Sequence, residues 1–127
     1  MPAGFLQIGE VAERAGLSLR TVRYYEEQGL VTPAKRSDGG FRLYTEEQVR
    51  RLLLVKQMKP LDFTVEQMRE LLTARDALAA DPADGAARDA VARYADDVAA
   101  RVVKLRDRLA NAERFAADLA RQAGGDA

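Results

Sequence analysis

A chain of 127 residues has room for one compact domain and little more, and a fold of that size is marginal unless something extends its core. Its 20 basic and 20 acidic side chains cancel, so no global charge announces nucleic acid. With no cysteine and no histidine it offers no disulfide, no thiolate or imidazole metal ligand and no Cys-His nucleophile pair.

No apolar run approaches the roughly 18 residues of a membrane span, and Met1 to Leu6 is too short for the apolar stretch of a signal peptide. The expectation is a cytoplasmic protein with no membrane partner. The charge is mildly asymmetric: residues 1–60 carry 10 Lys/Arg against 7 Asp/Glu, net +3, and residues 61–127 carry 10 against 13, net −3. That supports a nucleic-acid partner for the front half only in combination with a motif.

Met1 to Phe5 reads as a loose tail, with Leu6 leading into a first helix. Ile8, Val11, Ala12 and Ala15 then share one helical face, Gly16 breaks the helix, and Ser18 is a good N-cap for a second helix from Leu19 to about Gln28, stopped by Gly29. Two short helices around a tight turn make a helix-turn-helix. On the second helix Leu19, Val22, Tyr25 and Glu26 fall on one side, and Arg20, Arg23, Tyr24 and Glu27 on the other. The first side carries the apolar anchors. The second offers guanidinium groups for guanine edges and phosphates and a phenol for stacking or donation, which is a major-groove face. Thr21 lies at the start of the same helix and joins the candidate DNA contacts. Tyr25, beside Val22, reads first as a core aromatic with its hydroxyl near the surface, and as a DNA contact only second.

After Pro33 the stretch AKRSDGGFRLYT predicts a hairpin turning at Asp38-Gly39, with Gly40 adding backbone freedom. Alternation sorts its side chains: if Phe41 and Leu43 cover the core, Arg42 and Tyr44 point outward, alongside the basic pair Lys35 and Arg36. A basic hairpin beside a helix-turn-helix is a wing. Thr45-Glu46-Glu47-Gln48 then reads as a capping box opening a third helix, with Val49, Leu52, Leu53 and Val55 buried and Arg50, Arg51, Lys56 and Lys59 solvated or near phosphate, ended by Pro60. A second box, Thr64-Val65-Glu66-Gln67, opens a fourth helix whose Met68, Leu71 and Leu72 pack back on the third.

The Ala-rich, acidic stretch from Ala77 to Ala87, broken by Asp81-Pro82 and Asp84-Gly85, predicts a linker. Beyond it, Ala86 to about Gln122 reads as one helix of roughly 36 residues, about 55 Å long. Its apolar residues alternate four and three apart, at Val91, Ala95, Val98, Val102, Leu105, Leu109, Ala112, Ala116 and Leu119, which is a heptad seam. So narrow a stripe on so long a helix has nowhere to bury itself in a chain this small, so a partner helix from a second copy is expected. Spacing alone leaves the orientation of that pair open.

Catalysis has little to stand on. The carboxylate pairs Glu26-Glu27 and Asp96-Asp97 diverge by about 100° on a helix and cannot flank a substrate together. Gly39-Gly40 sits in a hairpin turn and not ahead of a helix, so it forms no phosphate loop. The chain is not expected to be an enzyme or to carry a cofactor.

The segments IGEVAERAGLSLRTVRYYEEQGLV, GGFRLYT, QVRRLLLVKQMK and FTVEQMRELL, between Leu6 and Leu72, together resemble the MerR-type transcription regulators. The resemblance implies a mainly α fold: a winged helix-turn-helix DNA-binding domain over 1–75, a linker over 76–85, a coiled-coil dimerisation helix over 86–122 and a disordered tail over 123–127. It implies Arg42 and Tyr44 as wing contacts to phosphate, and an antiparallel coiled coil that presents two modules to an inverted repeat on double-stranded promoter DNA, about a helical turn apart or a multiple. Distortion of the promoter spacer, and RNA polymerase as a partner, follow from the same resemblance. Metal-sensing and redox-sensing relatives use cysteines near the end of the coil, and this chain has none; the residues name no small-molecule effector. The rival expectation is an adaptor that keeps the helix-turn-helix and coiled coil but binds protein. The near-neutral charge favours it, and the arginines of the recognition helix and wing speak against it.

Overall fold

The computed structural model describes residues 4–125. The first three residues of the expected leading tail from Met1 to Phe5, and the last two residues of the expected C-terminal tail, lie outside the described residues.

The elements run β1 (Leu6–Gln7), α1 (Ile8–Ala15), α2 (Leu19–Glu27), β2 (Lys35–Arg36), β3 (Arg42–Tyr44), α3 (Glu46–Met58), a 3-10 turn (Lys59–Leu61), α4 (Val65–Ala80) and α5 (Gly85–Ala123). The fold is therefore mainly helical, with a small sheet and one long C-terminal helix. Val11, Ala12, Ala15, Val22, Tyr25, Leu30, Val31, Leu52, Val55, Phe63, Met68 and Leu72 form a continuous core under the helix-turn-helix and α3–α4. The wing gains a third strand that alternation did not reveal. β3 lies between β1 and β2, with Leu6 opposite Tyr44 and Arg36 opposite Arg42, all antiparallel.

The helix-turn-helix forms for legible reasons. Gly16 closes α1 in the left-handed region at φ 67°, and its N–H bonds back into the last turn. Ser18 then caps α2 by accepting the Thr21 N–H at 3.0 Å. A side chain at residue 16 would also meet the Lys56 ammonium, 2.6 Å from an ideal Cβ position. That ammonium donates to the Ala15 carbonyl at 3.0 Å. Similarly, Arg69 donates through Nε to the Gln28 carbonyl at the end of α2, 3.2 Å away. Cations thus close the negative ends of both helices. Lys56, expected to be solvated or near phosphate, is instead a tie between α3 and the turn of the helix-turn-helix.

Arg51 has a comparable role, donating to the Leu30 carbonyl at 3.2 Å and to Asp76 at 2.7 Å, whereas Arg50 pairs locally with Glu47. The capping box expected at Thr45 does not form. Thr45 makes no side-chain cap, and the Gln48 amide oxygen accepts the Thr32 N–H at 3.2 Å instead, tying α3 to the loop after α2. The box at Thr64 and Gln67 is complete in both directions. Leu19 and Leu53, expected in the core, are 42% and 39% exposed.

The connection between α4 and α5 is shorter than the composition suggests. Alanine favours the helix, so α4 continues to Ala80 and only residues 81–84 intervene before Asp84 caps α5 by accepting the Ala87 N–H at 3.0 Å. At its far end α5 reaches Ala123, one residue into the expected tail. The first half of α5 also finds cover within its own chain: Tyr94 is buried against Phe63, with ring centroids 6.0 Å apart, and Val91 and Val98 pack on the same core. The expectation that the whole stripe lacks an internal partner is therefore corrected for that half.

Candidate nucleic-acid interface

The outward face of α2 holds Arg20, Arg23 and Tyr24, all exposed, with Tyr24 46% accessible. Thr21 is half-buried, its hydroxyl accepting from Ser18 at 2.9 Å, so it is fixed at the first turn rather than free to search. Tyr25 lies on the opposite side, 3% exposed, with its ring centroid 5.6 Å from that of Tyr24. Burial raises its phenol pKa above the ordinary value, with the neighbouring Tyr24 adding to the shift. Tyr25 is thus a core residue supporting the face and not part of it, which corrects its place among the DNA contacts.

The wing keeps Leu43 fully buried, as expected, but departs from the expected alternation at Phe41 and Tyr44. Phe41 is 66% exposed at the hairpin tip, whereas Tyr44 is completely buried. The register supplies the reason: Tyr44 pairs with the buried Leu6 of β1, so this side of β3, which by alternation also carries Arg42, faces the helices. The Tyr44 hydroxyl donates to Glu26 Oε2 at 2.6 Å, and Arg42 Nε lies 2.8 Å from Glu26 Oε1. Burial first, then the hydrogen bond and charge of Glu26, push the Tyr44 pKa well above that of a free phenol, so the hydroxyl stays a donor. Tyr44 is therefore not an outward phosphate contact. Glu26, read from the sequence only as part of the inner side of α2, joins the recognition helix to the wing.

Arg42 keeps 41% of its side chain exposed despite that pairing. Together with Arg23 and Arg36 it lines a cleft of about 210 Å³ between α2 and the wing, closed by Gln7, Ile8, Gly9, Gly40 and Phe41. Arg36 donates to the Gly40 carbonyl at 3.0 Å, which holds it along the hairpin. Lys35 is exposed and its ammonium sits 4.5 Å from the Phe5 ring centroid, a cation–π contact with the segment before β1. Three guanidinium groups around one small opening suit a phosphate oxygen cluster, since each presents forked donors to anionic oxygens. Among the described residues no group of three or more acidic, Cys or His side chains is placed to hold a metal, and no helix is long and apolar enough to cross a membrane.

The candidate seam residues of α5 divide. Val91 and Val98 pack on the core and Val102 is half-buried, while Ala95, Leu105, Leu109, Ala112, Ala116 and Leu119 are exposed, with Leu109 at 60% and Leu119 at 47%. Phe115, off the seam, is 63% exposed.

Two family profiles match the chain: MerR HTH family regulatory protein over residues 6–75, and MerR, DNA binding over residues 49–121. The chain is 42% identical over 67 residues to the transcriptional regulator CueR of Yersinia pestis, a match covering 53% of this chain and 48% of that protein. It is 44% identical over 69 residues to the transcriptional regulator ZntR of Escherichia coli K12, covering 54% and 49%. The matched stretch thus spans about half the length of these curated relatives. Among solved structures, the regulator PbrR691 from Ralstonia metallidurans CH34 in complex with lead(II) is 35% identical, with a TM-score of 0.60 over 91% of this chain and 86% of that one. HiNmlR, a MerR family regulator lacking the sensor domain and bound to promoter DNA, shares the fold at a TM-score of 0.68 and 19% identity, over 89% and 88%.

Proposed function

Since the chain belongs to the MerR family of regulators, we propose that it is a transcription regulator that binds double-stranded promoter DNA as a homodimer. The observation that carries this reading is the placement of Arg23, Arg36 and Arg42 around one cleft beside the exposed face of α2. In it, Arg20, Arg23, Tyr24 and the fixed Thr21 meet base edges and sugar–phosphate in the major groove, and Lys35, Arg36 and Arg42 hold the backbone that borders the wing.

The chain divides, on this reading, into a DNA-binding head over residues 1–75 and a dimerisation helix whose bare half pairs with a second copy. Two heads joined this way address an inverted repeat with half-sites about one helical turn, or a multiple of it, apart. Bending and untwisting the intervening DNA costs about 1 to 6 kcal/mol for smooth bends, which the arginine contacts must supply, and RNA polymerase reads the altered spacer. The relatives are named as regulators and not as enzymes, in keeping with a protein whose output is DNA geometry.

Fragments of the source genome selected by the purified protein at two salt concentrations test this reading. The expected outcome is enrichment of an inverted repeat within a promoter, with binding that weakens steeply as salt rises. Arg42→Ala is expected to weaken binding to all sequences and to lower the salt slope by about 1, whereas Arg20→Ala relaxes base preference. No enrichment at low salt would turn the protein into an adaptor for another protein.

A further inference from the structure

Glu26 is out of place in a DNA-binding surface. It projects from the recognition helix toward the wing, its side chain is 16% exposed, and it stands beside the cleft lined by Arg23, Arg36 and Arg42. A carboxylate there repels the phosphates those arginines would attract. Both of its oxygens are nevertheless engaged, one by the fully buried Tyr44 hydroxyl at 2.6 Å and the other by Arg42 Nε at 2.8 Å. The Tyr44 ring is locked by packing and pairs with Leu6 across the sheet, so the carboxylate is held from a rigid base.

We propose that Glu26 is a positioning residue for DNA binding: anchored by Tyr44, it fixes the Arg42 guanidinium in the cleft so that wing and recognition helix offer their arginines as one preformed phosphate seat. The proposal rests on the DNA-binding reading above and deepens it. Arg42 engages Glu26 through Nε, so its two terminal nitrogens remain available for a bidentate contact to phosphate oxygens. An arginine held in this way does not have to be ordered when DNA arrives. Immobilising one such flexible side chain on binding costs the equivalent of roughly two- to tenfold in affinity.

The sign of one substitution separates this role from simple electrostatics. Glu26→Gln keeps the shape and leaves an oxygen for the Tyr44 hydroxyl, but removes the charge that holds Arg42. If Glu26 only repelled phosphate, Glu26→Gln would tighten binding. A positioning role predicts the opposite: binding roughly two- to tenfold weaker in the wild-type background, and no weakening in the Arg42→Ala background, where there is no guanidinium left to position.

The experiment has two arms. Without DNA, the Arg42 Nε resonance of the full chain is followed by NMR. A shift on Glu26→Gln with the Arg20 resonance unmoved supports the pairing, and an unmoved Arg42 resonance overturns it. With DNA, binding of the selected promoter fragment is measured for wild type, Glu26→Gln, Arg42→Ala and the double variant. Weakening confined to the Arg42 background supports positioning, while tightening, or equal effects in both backgrounds, overturns it. Tyr44→Phe, which keeps the ring and removes only the hydroxyl, is the second probe and is expected to weaken binding in the same direction by less. Failure of the wild type itself to bind any fragment would count against the regulator reading, and the first arm would still decide whether Glu26 holds Arg42.

Discussion

The two halves of α5 carry the same apolar spacing and live in different surroundings. From Gly85 to Val102 the stripe, apart from the exposed Ala95, packs on the head: Ala87 and Tyr94 are buried, Val91 and Val98 pack on the core, and the Arg101 guanidinium lies 3.8 Å from the Phe63 ring centroid while donating to the Leu61 carbonyl at 2.7 Å. From Val103 to Ala123 the stripe faces solvent, with Leu109 at 60% exposure and Leu119 at 47%. A heptad records that a helix has one apolar side, but not what lies against it. The first half turns the helix into part of a domain. The second half is a 30 Å-class extension, at about 1.5 Å per residue, whose apolar side has no cover among the described residues.

The largest expected effect breaks the second half alone. Changing Leu109 and Leu119 to Asp places charge in a packed seam, at roughly 2–5 kcal/mol for each position. Association should therefore weaken by on the order of a thousandfold or more. Sedimentation is expected to show a monomer at micromolar concentration, with the head still folded by circular dichroism. A variant that stayed dimeric would move the dimer contact off this seam.

The complementary change attacks the first half. Tyr94→Ala removes a buried ring packed at a tilt against Phe63, and an aromatic truncation of this kind costs about 3 kcal/mol. Measured in the monomeric background, where dimer concentration no longer enters, the melting temperature should fall by roughly 10 °C. If Tyr94→Ala instead acted only on dimerisation, the assignment of this half to the head would be wrong.

Why the sequence distinguished neither half has the same physical root as its other misses. Periodicity reads which side of an element is apolar, and it located the helices, the Thr64 capping box and the exposed Arg20, Arg23 and Tyr24. It cannot read what sits across from a side chain. Thr45 and Gln48 have the spacing of a capping box, yet the loop amide of Thr32 takes the Gln48 oxygen. Arg42 and Tyr44 look like an outward pair until β1 is known to flank β3 and Glu26 to wait on the inner side. Lys56 resembles a solvated lysine in a helix and becomes a helix cap only because Gly16 leaves room for it. Leu6 carried a further signal: an apolar residue separated from the first helix only by Gln7, it is a strand position once the wing needs a third strand.

The finest test of the two halves compares ion pairs of the same chemistry. Arg101 pairs with Asp97 one turn earlier, and Arg121 pairs with Asp118 in the same manner near the end of α5. Spacing makes them near-equivalent, each the helix-surface arrangement that contributes a few tenths of a kcal/mol. Their surroundings do not. Arg101 has a 24% exposed side chain, stacks on Phe63 and donates to the carbonyl of Leu61, so Arg101→Ala removes a cation–π contact and a hydrogen bond as well. Its expected cost is about 1–2 kcal/mol. Arg101→Lys should recover only part of that, because an ammonium has no planar fork to stack and donate at once. Arg121, 59% exposed with solvent around it, should cost no more than about 0.5 kcal/mol when changed to Ala, and less as salt is raised. Thermal melts of both variants in the monomeric background check this. Equal losses would mean that the end of α5 is packed against something in the isolated chain after all, and the boundary drawn after Val102 would have to move toward the C-terminus.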